Sequence, residues 1–216
     1  MEEQPVNIPC PICHESGQVF MIANVDEIPY FGEHTQVTVM CHACGWRQTD
    51  FIPAEGKKAG AWSIVVNSPE LLSARVIRSS SCTIKIHELD LEVAPGSNAT
   101  GYVSNVEGVF KRFKDIVNMV LRDIESEVTS LQSDEPIDQP ALTEALGSVS
   151  TLKGMLDRFQ ETHQEHGTPL TLELLDPHGH SMIMHDDATH RDLSEEELVA
   201  LPVGPDPAVF SPDDEQ

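Results

Sequence analysis

Cys10-Pro11-Ile12-Cys13 is followed, after 27 residues, by Cys41-His42-Ala43-Cys44. Thiolates suit borderline-soft divalent ions, and two on one tight turn grip one side of a tetrahedral ion. A second such turn closes the other side. Four sulfur ligands leave no open coordination position, so the chemistry predicted is structural. One zinc ion held by Cys10, Cys13, Cys41 and Cys44 replaces a core that so short a segment could not build. Pro9 and Pro11 stiffen the first turn, and Gly45 after the second pair allows a positive φ that turns amides toward sulfur. His14 and His42 adjoin ligands, but the thiolates already fill the sphere; both are expected to be exposed or to support the ligands from outside. Disulfides would need an oxidising compartment, and the acidic, polar N-terminus reads as no secretory signal, so the expected location is the cytoplasm. Cys82, beside Ser79, Ser80 and Ser81, reads as a partly buried free thiol.

The elements that must position these cysteines follow from the apolar pattern. Val19-Phe20-Met21-Ile22 and Val37-Thr38-Val39-Met40 are β-prone and flank a turn-rich middle with Pro29 and Gly32, so residues 1–55 read as a zinc ribbon. Gly56-Lys57-Lys58-Ala59-Gly60 is a junction. Residues 56–191 read as a β domain, with strands at 62–66, 71–77, 82–86, 89–93 and 169–175, a turn at Asp176-Pro177-His178-Gly179, and a returning strand at 180–184. Inside it, 104–167 changes to helical period. Ser104 and Glu107 form a capping-box pattern, and Val109, Phe110, Phe113, Ile116, Val117, Val120, Leu121, Ile124 and Val128 share one face. A second helix starts near Pro140 and ends toward Gly167 and Pro169, making an antiparallel helical hairpin. Residues 192–216 are acidic and contain prolines, and read as a disordered tail, with a short helix allowed after Ser194.

Charge limits the partners. The chain of 216 residues carries 36 acidic and 13 basic side chains, a net charge of −23. Such a surface repels phosphate backbones, which counts against the usual alternative for a zinc ribbon, nucleic-acid binding. The ribbon shares the bias, with eight acids before residue 56 against Arg47 alone. No apolar run is long enough to cross a membrane. Tyr30, Phe31 and Trp46 stand out in a chain with only 5% aromatics and are the candidate partner-facing residues.

Several motifs, in order, resemble the ZPR-one zinc-finger family: Ile28-Pro29-Tyr30-Phe31-Gly32-Glu33, Cys41-His42-Ala43-Cys44-Gly45-Trp46, Ile86-His87-Glu88-Leu89-Asp90-Leu91-Glu92, Val106-Glu107-Gly108 and Leu175-Asp176-Pro177-His178-Gly179-His180-Ser181. The resemblance runs from about Cys10 to His185 and covers one ribbon-plus-β module, as in the archaeal-type form; eukaryotic members carry two. It implies an α+β, mainly β fold: a four-cysteine zinc ribbon, then a double-stranded β-helix domain carrying the helical hairpin. It also implies a non-enzymatic adaptor or folding factor for translation elongation factor one-alpha, acting on its GDP-bound or immature state.

The alternative of a different class is a metal-dependent enzyme. His178, His180, His185 and His190 include an H-x-H pair similar to that of cupin-type enzymes. Against it, His178 sits in a turn expected to project into solvent. Glu88, Asp90 and Glu92 alternate as a solvent-facing row, and no phosphate loop or nucleophile elbow is present.

Overall fold

The computed structural model describes residues 3–28, 32–53, 58–96, 98–133, 138–165 and 167–202. By chain segment they fall into two compact units. Met1–Ile64, Arg75–Ser104 and Thr171–Gln216 make one; Val65–Ala74 and Asn105–Leu170 make the other. The ribbon, read from sequence as separate from the β domain, therefore clusters with the β strands, and the helical pair stands as the second unit.

The ribbon is an antiparallel sheet in the order β1 (Gln4–Pro5), β2 (Val19–Ile28), β3 (Gly32–Cys41), β4 (Arg47–Pro53). Pairing of β2 with β3 runs without a slip from Val19↔Cys41 to Ile28↔Gly32. One face fixes that register. Val19, Val37 and Val39 are buried with Val6, Cys10 and Cys41, while Met21, Trp46 and Ile52 cover the edges. A one-residue slip would turn the valines outward.

The β domain has eight strands: β5 (Gly60–Val66), β6 (Arg75–Arg78), β7 (Thr83–Ile86), β8 (Leu91–Val93), β9 (Tyr102–Asn105), β10 (Leu170–Asp176), β11 (Met182–Met184) and β12 (Thr189–Asp192). They form a five-stranded sheet, β12-β5-β10-β7-β8, and a three-stranded sheet, β11-β6-β9. The chain passes repeatedly from one sheet to the other, as in a jelly roll. Strand β10 is central and buried almost throughout: Leu170, Leu172 and Leu174 are fully enclosed.

Three sequence expectations change here. The strand foreseen at 71–77 begins as a 3-10 turn, Pro69–Ser73, and only then becomes β6. Pro69 presets that turn, and its tight winding buries the adjacent Leu71 and Leu72. The segment after the Asp176 turn does not run back along β10. Strand β11 pairs with β6, Ile183 opposite Val76, while β10 pairs with β7, Leu174 opposite Ile84. The foreseen tail starts too early. Asp192 closes β12, Leu193 and Leu201 are buried against Ala61 and Leu175, and α3 (Glu195–Ala200) lies between them. Ser194 caps α3: its Oγ accepts from the Glu197 amide, and the Glu197 carboxylate accepts from the Ser194 amide. Arg191 fixes the segment further. It donates to both Glu197 oxygens at 2.7 and 2.8 Å and to Glu173 at 3.0 Å.

In the second unit, α1 (Val106–Ser133) and α2 (Gln139–Glu161) lie alongside each other. Val109, Phe110, Phe113, Val117 and Leu121 are buried on α1, and Phe110 meets Phe159 edge-on with ring centres 5.4 Å apart. The cap of α1 is Asn105, whose Oδ1 accepts from the Gly108 amide, one residue past the foreseen Ser104. Asp138 caps α2. Helix α2 ends at Glu161, earlier than Gly167; Gly167 is required because a side chain there would collide with the Glu161 carbonyl. Ile116, Met119, Val120 and Leu146 remain exposed, so the apolar stripe is wider than the surface the pair covers.

Candidate metal centre and the turns around it

The two CxxC turns face each other across the end of the β2–β3 hairpin. Cys41 closes β3, its partner Val19 opens β2, and Cys10 is buried beside them. Each turn is held by its own backbone. The His14 amide donates to the Cys10 carbonyl at 2.9 Å, and the Gly45 amide donates to the Cys41 carbonyl at 2.9 Å. Both residues adopt left-handed backbone, with φ 61° at His14 and 76° at Gly45. Gly45 does this without strain; His14 takes the equivalent place in the first turn at a conformational cost. The Ile12 amide points at the Cys10 sulfur, 3.4 Å away.

Cys10 Sγ lies 3.7 Å from Cys44 Sγ, Cys13 Sγ lies 3.7 Å from Cys41 Sγ, and all four sulfurs lie within 4.8 Å of one another. A tetrahedral zinc with Zn–S bonds of about 2.3 Å holds its sulfurs about 3.8 Å apart, so the spacing fits this ion. The protonation energetics fit too. Burial opposes ionisation of Cys10, but the amides of Cys13 and Ile12 and the neighbouring thiols outweigh it and lower its pKa to about 6. At Cys13 the Glu15 amide favours the thiolate, yet burial and the three other sulfurs push the thiol up to about 12. Four thiols this close cannot all ionise by themselves; a divalent cation supplies the missing charge. Among the described residues this is the one group of three or more His, Cys, Asp or Glu side chains that could hold a metal ion, and one zinc ion is its cofactor.

Of the other sequence candidates, Tyr30 and Phe31 lie outside the described residues. Trp46 is half-buried against the ribbon core, and its carbonyl accepts from the Cys41 amide at 2.8 Å. Its backbone thus helps hold the second metal turn, while its ring stays partly exposed. His14 and His42 are exposed; His42 Nε2 is 3.0 Å from Glu3, and its ring meets Phe20 edge-on. Cys82 is completely buried, beyond the partial burial foreseen, and burial pushes its thiol up to about 12, which leaves it unreactive.

Two buried carboxylates escaped the sequence reading. Asp176 accepts five hydrogen bonds: from the Oγ atoms of Ser79, Ser81 and Ser181 at 2.6–2.7 Å, and from the amides of Ser181 and His178 at 2.7 and 2.9 Å. Burial alone would raise its pKa; these bonds outweigh burial and lower it. Asp50, on ribbon strand β4, holds the same serine turn from the other side. It accepts from Ser80 Oγ at 2.5 Å and from the Ser80 amide at 3.0 Å. Gly101 completes the joint by donating to the Thr49 carbonyl at 2.8 Å; a side chain there would lie 2.7 Å from Asp50 Oδ1. Arg78 closes the turn, donating to the carbonyls of Thr100 and Cys82.

His178 and His180 do not project into solvent as foreseen. Both are half-buried on the Asp176 turn. The cupin-like set is not assembled: no third ligand side chain joins them among the described residues, His185 is exposed, and His190 lies against Trp62 with ring centres 4.9 Å apart. Glu88 is not part of a plain solvent row either, since its carboxylate accepts from the Thr171 amide and hydroxyl at 2.6 Å each. No helix among the described residues is long and apolar enough to cross a membrane.

The ZPR1 jelly-roll domain matches residues 70–199. The chain is 34% identical over 196 residues to a ZPR1-like protein of Pyrococcus horikoshii, covering 91% of this chain and 80% of that one. It is 33% identical over 202 residues to a ZPR1-like protein of Methanocaldococcus jannaschii, covering 94% of this chain and 92% of that one. It is also 29% identical over 111 residues to a protein of Schizosaccharomyces pombe named zinc finger chaperone zpr1, covering 49% of this chain and 23% of that one. With a four-cysteine centre on an antiparallel ribbon, an eight-stranded β domain and an inserted helical pair, the chain belongs to the ZPR1 family, in its archaeal-type form.

Proposed function

We propose that this protein is a non-enzymatic, zinc-stabilised adaptor or folding factor of the cytoplasm, with Cys10, Cys13, Cys41 and Cys44 as the zinc ligands. Its partner is the translation elongation GTPase, elongation factor one-alpha, in the GDP-bound or immature state. The observation that carries the reading is the closed metal centre: four sulfurs leave no position for substrate or water, so the ion builds a surface. The ribbon around it leaves Ile8, Ile12 and Val25 exposed, apolar side chains available to a partner. The helical pair adds Ile116, Met119 and Leu146. The relative named a chaperone supports the folding-factor part. Binding one state of the GTPase better than another shifts its population toward that state.

The test uses Tyr30 and Phe31, the aromatic candidates for the partner face. Tyr30→Ala with Phe31→Ala weakens binding to the GDP-loaded factor by about 30-fold, the equivalent of roughly 2 kcal/mol. Zinc content and melting temperature stay unchanged. Normal affinity in a stable, fully metallated double variant excludes this face; equal affinity for GDP- and GTP-loaded factor excludes the state preference.

A further inference from the structure

We propose that His178 and His180 form a second, exchangeable site for a late first-row divalent cation, bound through their two Nδ1 atoms. Both Nδ1 atoms are buried and have no hydrogen-bond partner. Buried polar atoms in folded proteins are paired in all but a few cases, and an orphaned pair on one turn calls for an occupant. The two rings stand 5.8 Å apart between centres and are tilted by 52°. Imidazoles sharing a tetrahedral ion at Zn–N of about 2.0–2.1 Å have centres about 5 Å apart, close to the separation observed here.

The turn is built to hold the rings in place. Asp176 fixes the amides of His178 and Ser181 on either side, and Gly179 between the two histidines takes φ 70°. Asp176 and Asp50 both act on His180 by charge, as do His178 and His34. The carboxylate oxygens are committed to the serine hydroxyls and amides, so they favour a cation by charge without joining its coordination. Burial, the largest influence, lowers the pKa of His180 and keeps its ring neutral, the form that ligates. With two protein ligands the remaining positions fall to water, which makes the ion exchangeable, unlike the closed cysteine centre.

Nickel is the probe. Untagged full-length protein carrying its ribbon zinc is titrated with NiCl2 by calorimetry, and zinc is counted afterwards by mass spectrometry. The expected result is one nickel per chain, with binding at least about tenfold weaker in His178→Ala and in His180→Ala. Ribbon zinc is retained, and His185→Ala and His190→Ala bind as the parent does. His178→Asn and His180→Asn repeat the comparison should an alanine variant fold poorly. A folded, zinc-loaded parent that takes up no nickel assigns the space between the nitrogens to water and overturns the proposal. So does nickel binding that survives both substitutions, or that is lost with His185 or His190 instead.

Discussion

Two places in this molecule hold a chain turn by several side chains at once, and they differ in what sits at the centre. In the ribbon, four sulfurs surround a cation. At the Ser79–Ser81 turn the arrangement is inverted: two carboxylates, Asp176 and Asp50, receive the three hydroxyls of the turn and the Ser80 amide. The first depends on an ion from outside. The second carries its own charge, and its strength comes from buried, charge-assisted hydrogen bonds. Short sequence spacing marks the first; the second joins residues 30 and 97 positions apart. Function that depends on metal supply belongs to one, and the link between ribbon and β domain to the other.

The largest expected effect breaks the cation-centred turn. Cys41→Ser loses zinc and unfolds the ribbon, because structural zinc contributes on the order of 10 kcal/mol to such a fold. Elemental analysis and hydrogen exchange of β2 and β3 check it. Full zinc content with unchanged protection refutes the structural role. Since Asp50 and Thr49 tie β4 to the serine turn and to Gly101, protection near Ser80 falls as well.

Asp176→Asn tests the carboxylate-centred turn. It costs about 3 kcal/mol at neutral pH, the loss of charge-assisted bonds at a site where the donors remain buried. The pKa of Asp176 is lowered by folding, so its contribution is complete above the unfolded carboxylate value and fades as pH falls through the folded one. Parent and variant therefore converge in stability below about pH 4. A gap in urea stability that stays constant into acid would show that the charge is irrelevant.

A smaller effect sharpens the domain boundary. A chain ending at Asp192 is less stable than one ending at Pro202 by about 2 kcal/mol, the burial of Leu193 and Leu201 together with the Arg191–Glu197 pair, and melts correspondingly lower. Equal melting temperatures would return residues 193–202 to the tail.

The metal centre was legible because all four ligands announce themselves in two short words, and the hairpin because two β-prone apolar runs flank a turn-rich middle. The helical pair was legible from its period of three and four. The sheet partners were not. The run Met182–Met184 looks like a return strand to β10, but pairing is decided by which strand lies across the sheet, and that was β6. The serine run Ser79–Ser81 beside Cys82 carries no local pattern of its own; only the arrival of Asp50 and Asp176 makes it a buried joint. Leu193 and Leu201 were hidden in an acidic segment, since two leucines eight residues apart make no visible stripe until α3 brings them to one side.

The central place of β10 has a consequence for how the chain is made. Strands β5 and β7 flank it, yet about 80 residues of chain, the whole helical pair among them, emerge before it. At 5–20 residues per second, several seconds or more pass in which the five-stranded sheet lacks its middle strand. The ribbon waits for nothing but its ion, and the helices make their contacts locally. The jelly roll alone must remain open until late in synthesis, with the inner faces of β5 and β7 uncovered. Until β10 emerges, the chain is itself at risk of aggregation during its own synthesis.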